Sequence, residues 1–323
     1  MIQRALMVGL IVVVIIGGVL LLGSDRGERS GEPTATAGLQ ELTLRHQGLE
    51  RRALVAVPAA ATVETAAGLP LVFVLHGGHG NPENMIDRLP MHEIGETERF
   101  ITVYPAAYDG HWNDGRTGTP HEAAVRDIDD VDFLQTLVTE LAAQYPVDTG
   151  AVAVVGGSNG GMMAYQLACV NAPFVHAIAA LISSIPTSIY PTCQATAEPL
   201  PVLSLVGDAD EFVPFTGGSG RYGDGELVSG PSVLAFWATV NQCEAQPVEL
   251  LPRSAPTAPT QVAVTSYECA AAPLRSYVVQ GGGHTYPGTS VGGIGTRLVG
   301  ETDQSIETTQ IVWDFFRTSL HYD

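Results

Sequence analysis

A serine stands at the centre of Gly156-Gly-Ser-Asn-Gly160. A serine hydroxyl is a weak nucleophile until a base takes its proton, and it must stand clear of its own backbone to reach an electrophile. Small residues two before and two after Ser158 let the chain turn sharply there and pass close to its neighbours. The base must come from elsewhere. Two histidines, His284 and His321, lie beyond both Ser158 and the candidate acids. His321 follows the last helical pattern, whereas His284 follows an apolar run and Gly281-Gly-Gly283, a loop able to present an imidazole. His284 is the expected base. Three aspartates lie between Ser158 and His284: Asp208, Asp210 and Asp224. Asp224 sits in the glycine-rich stretch Gly220–Gly225 and reads as a turn residue. Asp208 and Asp210 both follow an apolar run. Asp210 precedes Glu211-Phe-Val-Pro214, which could fold back under the His284 loop. Asp210 is therefore the expected acid that orients the imidazole, and Asp208 a turn or capping residue.

These side chains need elements to hold them. Leu71–Leu75, Ile101–Tyr104, Ala151–Val155, Val202–Val206 and Ser276–Val279 are short apolar runs rich in β-branched residues. Such runs fit strands buried on both faces, as in a parallel sheet. Between them lie helical patterns. Val131, Leu134, Val138, Leu141 and Tyr145 follow Asp129-Asp130, a helix-starting pair, and end at Pro146. Val233, Phe236, Trp237 and Val240 make a second stripe, and Ile306, Trp313, Phe316 and Leu320 a third. The aromatics in these stripes read as core. Glu41–Val57, with Gly48 near its middle, reads as an antiparallel hairpin at a sheet edge. Alternating strand and helix predicts an α/β fold: a doubly wound, mostly parallel sheet with helices on both faces. The strand Ala151–Val155, the turn at Ser158 and the helix from Gly161 then form the strand–turn–helix unit of a nucleophile elbow, as in the α/β-hydrolase fold.

In that setting an oxyanion needs two backbone amides. Asn159, at the helix start, supplies one, and the loop His76-Gly-Gly-His-Gly80 supplies the other through Gly78 or His79. His76 reads as structural. Three residues are candidates for substrate binding: His79, Tyr286 just past His284, and Trp112 in Gly110-His-Trp-Asn-Asp-Gly115. Trp112 has two readings, a platform for a substrate ring or packing beneath a long loop.

The 323 residues suit one large domain, and no short repeat runs through their 36 glycines and 21 prolines. A net charge of −19 argues against nucleic acid or an anionic membrane surface as partner. Residues 1–23 carry Arg4 and then a run without charge from Ala5 to Leu22, which reads as a signal peptide or an N-terminal membrane anchor. No small-x-small site directly follows the run, and no cysteine follows it as a lipoprotein requires. Residues 24–38 read as a flexible linker and residues 39–323 as the catalytic domain. Membrane contact is expected only through the N-terminal segment, if it is retained. Export makes two disulfides the expected state of Cys169, Cys193, Cys243 and Cys269. Three pairings are open, and proximity in sequence favours Cys169–Cys193 and Cys243–Cys269. No pair has the close spacing of a zinc site, and no metal is expected.

Taken in order, His76-Gly-Gly-His-Gly-Asn81, Trp112-Asn113, Asp129-Asp130-Val131-Asp-Phe133, Gly157-Ser-Asn-Gly-Gly-Met-Met163, Gly207-Asp-Ala-Asp210 with Val213-Pro214, and Gly281-Gly-Gly-His-Thr-Tyr-Pro-Gly288 resemble the polyhydroxybutyrate depolymerase-like esterases. That group is similar to secreted feruloyl and acetylxylan esterases. The resemblance runs from about Leu39 to the end of the chain. It implies an α/β-hydrolase fold, no cofactor, an ester substrate that is either polymeric or small, and Ser158, Asp210 and His284 as a triad. Disulfides compatible with the two favoured pairs are common in the group. The chain departs from it at Val206-Gly207, where His-Gly is common, at Glu211, where proline is frequent, and in the glycine-rich stretch from Phe215 to Gly230. These departures bear on the substrate. A serine peptidase, an acyltransferase of the same fold and a non-catalytic binding module are the alternatives. Peptide anilides, product analysis with an added alcohol, and the distance between His284 and Ser158 separate them.

Overall fold

The structure is a computed structural model that describes residues 38–59, 68–290 and 294–322, with the side chains of residues 294–296 left out. The N-terminal signal or anchor segment and most of the expected linker lie outside the described residues. Among those described, no helix is long and apolar enough to cross a membrane.

The chain opens with a hairpin of Leu39–His46 (β1) and Leu49–Ala56 (β2). Gln47 and Gly48 make its two-residue turn, both at positive φ (47° and 82°), the backbone twist that suits a tight hairpin. Leu69–Leu75 (β3) leads into Pro82–Arg88 (α1) and Met91–Glu98 (α2), and Ile101–Pro105 (β4) follows. Glu122–Val125 (α3) and Asp130–Gln144 (α4) precede Val147–Gly157 (β5). The Asp129 side chain caps α4 by accepting from the Asp132 amide. Asn159–Cys169 (α5), Ala177–Leu181 (β6), Tyr190–Thr196 (α6) and Val202–Gly207 (β7) come next. A small ribbon of Gly218–Ser219 (β8) and Glu226–Leu227 (β9) precedes Gly230–Val240 (α7). Cys243–Ala245 (β10), Glu249–Leu250 (β11), Gln261–Cys269 (β12), Leu274–Gln280 (β13), Ile294–Val299 (α8) and Thr308–Ser319 (α9) complete the chain.

One sheet runs β1-β2-β4-β3-β5-β6-β7-β13-β12-β10, with β11 paired to β12. From β4 to β13 every neighbour is parallel, and the strands outside that stretch are antiparallel. Leu71, Phe73 and Leu75 of β3 face one apolar layer with Phe133 and Leu137 of α4, Met163 of α5 and Trp237 of α7. Val72 and Val74 face the other, with Met85, Met91 and the α9 residues Val312, Trp313 and Phe316. Alternate residues of one strand thus feed two cores, which makes the sheet doubly wound. Strand order reverses between β3 and β5, and in open α/β sheets the crevice at such a point, at the C-terminal ends of the strands, is where ligands bind.

The expected strands and hairpin are present, with bounds extended by a few residues. Two of the longer strands escape the sequence reading, as do the short strands β8 to β11. Ala177–Leu181 is mostly alanine, a poor strand former, and is a strand because β5 and β7 flank it. Gln261–Cys269 carries polar residues along half its length, and its pairing with β13 and β10 decides it. Ile306 and Leu320 lie just outside α9 rather than within it.

Candidate active site

Ser158 links β5 to α5 at φ 54° and ψ −122°, a conformation that costs a non-glycine residue about 1–3 kcal/mol and persists only where its surroundings enforce it. The enforcement is visible. The Ser158 amide donates to Leu181 O at 2.9 Å, and its carbonyl accepts from Ser183 Oγ at 2.9 Å. A Cβ on Gly156 would sit 2.3 Å from Gly160 O, and one on Gly160 would sit 2.5 Å from Leu75 O. The two glycines are therefore required by close backbone approach.

His284 arrives from the loop after β13. That loop is tied to the loop after β7 by Asp208 N to Val279 O at 3.1 Å, Ala209 N to Gly282 O at 3.0 Å and Gly281 N to Asp208 Oδ1 at 2.6 Å. Asp208 is thus a loop-capping residue. Asp210 is buried, and its Oδ1 accepts from the amides of Phe212 and Val213 at 2.8 and 3.0 Å. Its Oδ2 accepts from His284 Nδ1 at 2.7 Å. The Phe212 ring stacks on the imidazole at 5.1 Å between centroids. This bond fixes Nδ1 as the protonated nitrogen, leaving Nε2 to accept a proton.

The loop after β3 is built on His76. Its Nδ1 donates to Gly77 O at 2.8 Å, its Nε2 accepts from the Ala107 amide at 3.1 Å, and burial holds its pKa below the usual imidazole value. Both ring nitrogens are spent on backbone, so His76 is structural. Trp112 corrects an expectation: it is only 2 % exposed, and its Nε1 donates to His76 O at 2.9 Å. A ring buried beneath the β3 loop cannot be a substrate platform. Gly78 and His79 both remain at the cavity surface, the latter at φ 56°. Tyr286 is buried with its hydroxyl against Gly157, beside the turn at Ser158, and desolvation pushes its pKa up to about 12. It forms part of the floor of the smaller cavity.

Two cavities meet at Ser158, His284, Gly78 and His79. The smaller, about 170 Å³, runs toward Asn84 and Arg88. The larger, about 490 Å³, is lined by apolar Met162, Phe212, Val213 and Tyr222 and by a wall of histidines. His111 and His121 stack at 3.6 Å between centroids, and His79 meets His111 edge-on at 4.2 Å. Burial first, then the neighbouring His121 and His79, lower the His111 pKa to about 4. Among the described residues no group of three or more His, Cys, Asp or Glu is placed to hold a metal ion. Asp224 also differs from its reading as a plain turn residue, because it pairs with Arg116 and lies 3.3 Å from His121 Nε2. Sequence reasoning singled out His79 but missed His111 and His121, which reach this wall from a different loop, the connection between β4 and α3. Phe212 and Val213, two and three residues after Asp210, were open to it.

Disulfides join Cys169 at the end of α5 to Cys193 in α6, and Cys243 in β10 to Cys269 in β12.

No family model matches the chain. It is 31% identical over 265 residues to a protein named as an esterase, NocK, of Nocardia uniformis subsp. tsuyamanensis, covering 77% of this chain and 74% of the relative. It is 27% identical over 153 residues to a protein named as a feruloyl esterase C of Aspergillus clavatus, covering 46% of this chain and 52% of that relative. Among solved structures, the acetyl xylan esterase from Aspergillus awamori superposes with a TM-score of 0.53 at 17% identity, over 76% of this chain and 94% of that one. That likeness shows the fold, with its parallel sheet and helices on both faces. With the NocK likeness across most of both chains, the protein belongs to the same esterase family as NocK, has the α/β-hydrolase fold and is a carboxylic ester hydrolase.

Proposed function

We propose that the protein is an exported serine esterase in which Ser158, His284 and Asp210 act as a catalytic triad through an acyl-enzyme. The observation that carries this reading is the 2.7 Å bond from His284 Nδ1 to buried Asp210, with Ser158 and His284 facing the same cavities. Ser158 Oγ attacks the ester carbonyl carbon while His284 Nε2 takes its proton. The carbonyl oxygen becomes an oxyanion, met by the amide of Asn159 and by one from the Gly78–His79 loop. The carboxylate of Asp210 stabilises the imidazolium without taking its proton. As the tetrahedral intermediate collapses, the bond to the leaving alcohol breaks and His284 protonates that oxygen. Water, deprotonated by His284, then releases the acid.

The larger cavity, lined by Phe212, Tyr222 and several imidazoles, supports an aryl acyl group such as feruloyl, in keeping with the name of the fungal relative. Acetyl esters and polyester chain segments are the other candidates. Two disulfides and the apolar N-terminal run support an extracellular or periplasmic location, with or without retention by the N-terminal segment.

The test is an ester panel on purified protein and its Ser158→Ala variant: p-nitrophenyl acetate and butyrate, methyl ferulate, acetylated xylan, polyhydroxybutyrate and an aromatic polyester. Turnover of the aryl ester that vanishes in Ser158→Ala is expected. An inert wild type, or a variant of equal activity, contradicts the reading.

A further inference from the structure

Asn159 follows the candidate nucleophile, and every polar atom of its side chain is committed inside the protein. Its Oδ1 accepts from the Trp112 amide at 2.8 Å, and its Nδ2 donates to Trp112 O at 3.1 Å and to Asp114 Oδ2 at 2.6 Å. The Asn159 amide is among the first of α5 and lacks an intrahelical acceptor, as helix-start amides do. Its direction therefore depends on how this residue is held.

Asp114 is 2 % exposed. A lone buried carboxylate is costly, and this one lies next to a turn where negative charge would develop. Arg116 neutralises it, with Nε 2.9 Å from Asp114 Oδ2 and 3.1 Å from Oδ1. Arg116 is itself shared. Its Nη1 pairs with Asp224, in the glycine-rich loop that walls the larger cavity, and its stem packs over Gly225. A chain of alternating charge thus runs from the cavity wall to the nucleophile turn.

We propose that Asp224 is a positioning residue for the oxyanion site, acting through Arg116 and Asp114 on Asn159. The inference rests on Ser158 being the nucleophile and the Asn159 amide an oxyanion donor. Without Asp224, the Arg116 guanidinium loses its outer anchor, its grip on Asp114 loosens, and the Asn159 amide is no longer preorganised. Removing a whole oxyanion donor costs a factor of roughly 10²–10³ in kcat, so misaligning one costs less, about 10-fold. Ground-state binding does not use that amide fully and changes little.

The experiment compares wild type, Asp224→Asn, Asp224→Glu and Arg116→Lys on p-nitrophenyl butyrate, with Ser158→Ala as reference. For Asp224→Asn a fall of about 10-fold in kcat with KM within about twofold is expected. Affinity for an alkyl boronic acid, which mimics the tetrahedral intermediate, falls in parallel, while inhibition by butyrate does not change. Asp224→Glu, which keeps the charge, recovers part of the loss. Arg116→Lys, which keeps charge but loses the two-sided fork, reproduces the split and decides the matter if Asp224→Asn fails to fold. A kcat within twofold of wild type, or a raised KM at unchanged kcat, overturns the proposal. Retained activity in Ser158→Ala overturns instead the reading beneath it.

Discussion

At the scale of single residues, the contact between Asp210 and His284 carries most of the chemical argument. The carboxylate accepts three hydrogen bonds, two from the amides of Phe212 and Val213 and one from His284 Nδ1. An amide at residue 210 would still fit but would favour the wrong imidazole tautomer. Asp210→Asn is expected to lower kcat on p-nitrophenyl acetate by about 10³–10⁴ with KM little changed. His111 carries a different consequence. Its pKa is about 4 in the fold, against 6.5 as the ordinary value, because it is buried and faces His121, His79 and Arg116. Between those values the unfolded chain binds a proton that the folded chain refuses. The stability tied to neutral His111 is therefore present above pH 6.5 and lost as pH falls toward 4. Urea unfolding from pH 7 down to pH 4 should show a shallower loss of stability in His111→Gln than in wild type. Equal slopes would remove His111 as a cause.

At the scale of elements, the unit β5–Ser158–α5 explains why one turn can hold a strained serine. Its glycines let α5 start against the ends of β3 and β5, so the helix amides lie beside the hydroxyl. Gly160→Ala forces a methyl to within 2.5 Å of Leu75 O. It should destabilise the protein by about 1–3 kcal/mol and lower kcat as well, measured by thermal unfolding and ester turnover on the same sample. This unit was legible in the sequence because strand, glycine turn and helix are contiguous there. The His284 loop and the Asp210 loop were legible in order along the chain, though their pairing is made by hydrogen bonds of residues 208 and 209 with residues 279–282, two between backbones and one to the Asp208 side chain. Trp112 was not decidable. A platform and a core ring are the same residue type after the same strand, and only the carbonyl of His76 beneath it separates them. The chain from Asp224 to Asn159 was invisible for a similar reason. Its members come from two loops and the start of α5, and nothing in their spacing says that they meet.

At the scale of the whole molecule, one sheet carries both the site and its supports. The antiparallel strands β12 and β10 extend it beyond β13, and the Cys243–Cys269 disulfide clamps that edge. The other disulfide ties α5, the helix that follows Ser158, to α6. Each closes a loop of about 25 residues in the unfolded chain. Replacing both Cys243 and Cys269 by alanine should cost about 2–4 kcal/mol in urea unfolding. Ester turnover should be kept at temperatures where the variant remains folded. An unchanged midpoint would mean that the edge strands hold without the clamp. The acidic balance of −19 belongs to this scale too, since it keeps the chains self-repelling.

The central claim is that Ser158 accepts the acyl group. The most direct measurement is mass spectrometry of the protein after reaction with an organophosphate such as diethyl p-nitrophenyl phosphate, followed by peptide mapping. The account predicts one phosphoryl adduct on Ser158, loss of esterase activity in step with its formation, and no adduct in Ser158→Ala. An adduct on another residue, or full activity in protein modified at Ser158, would contradict it.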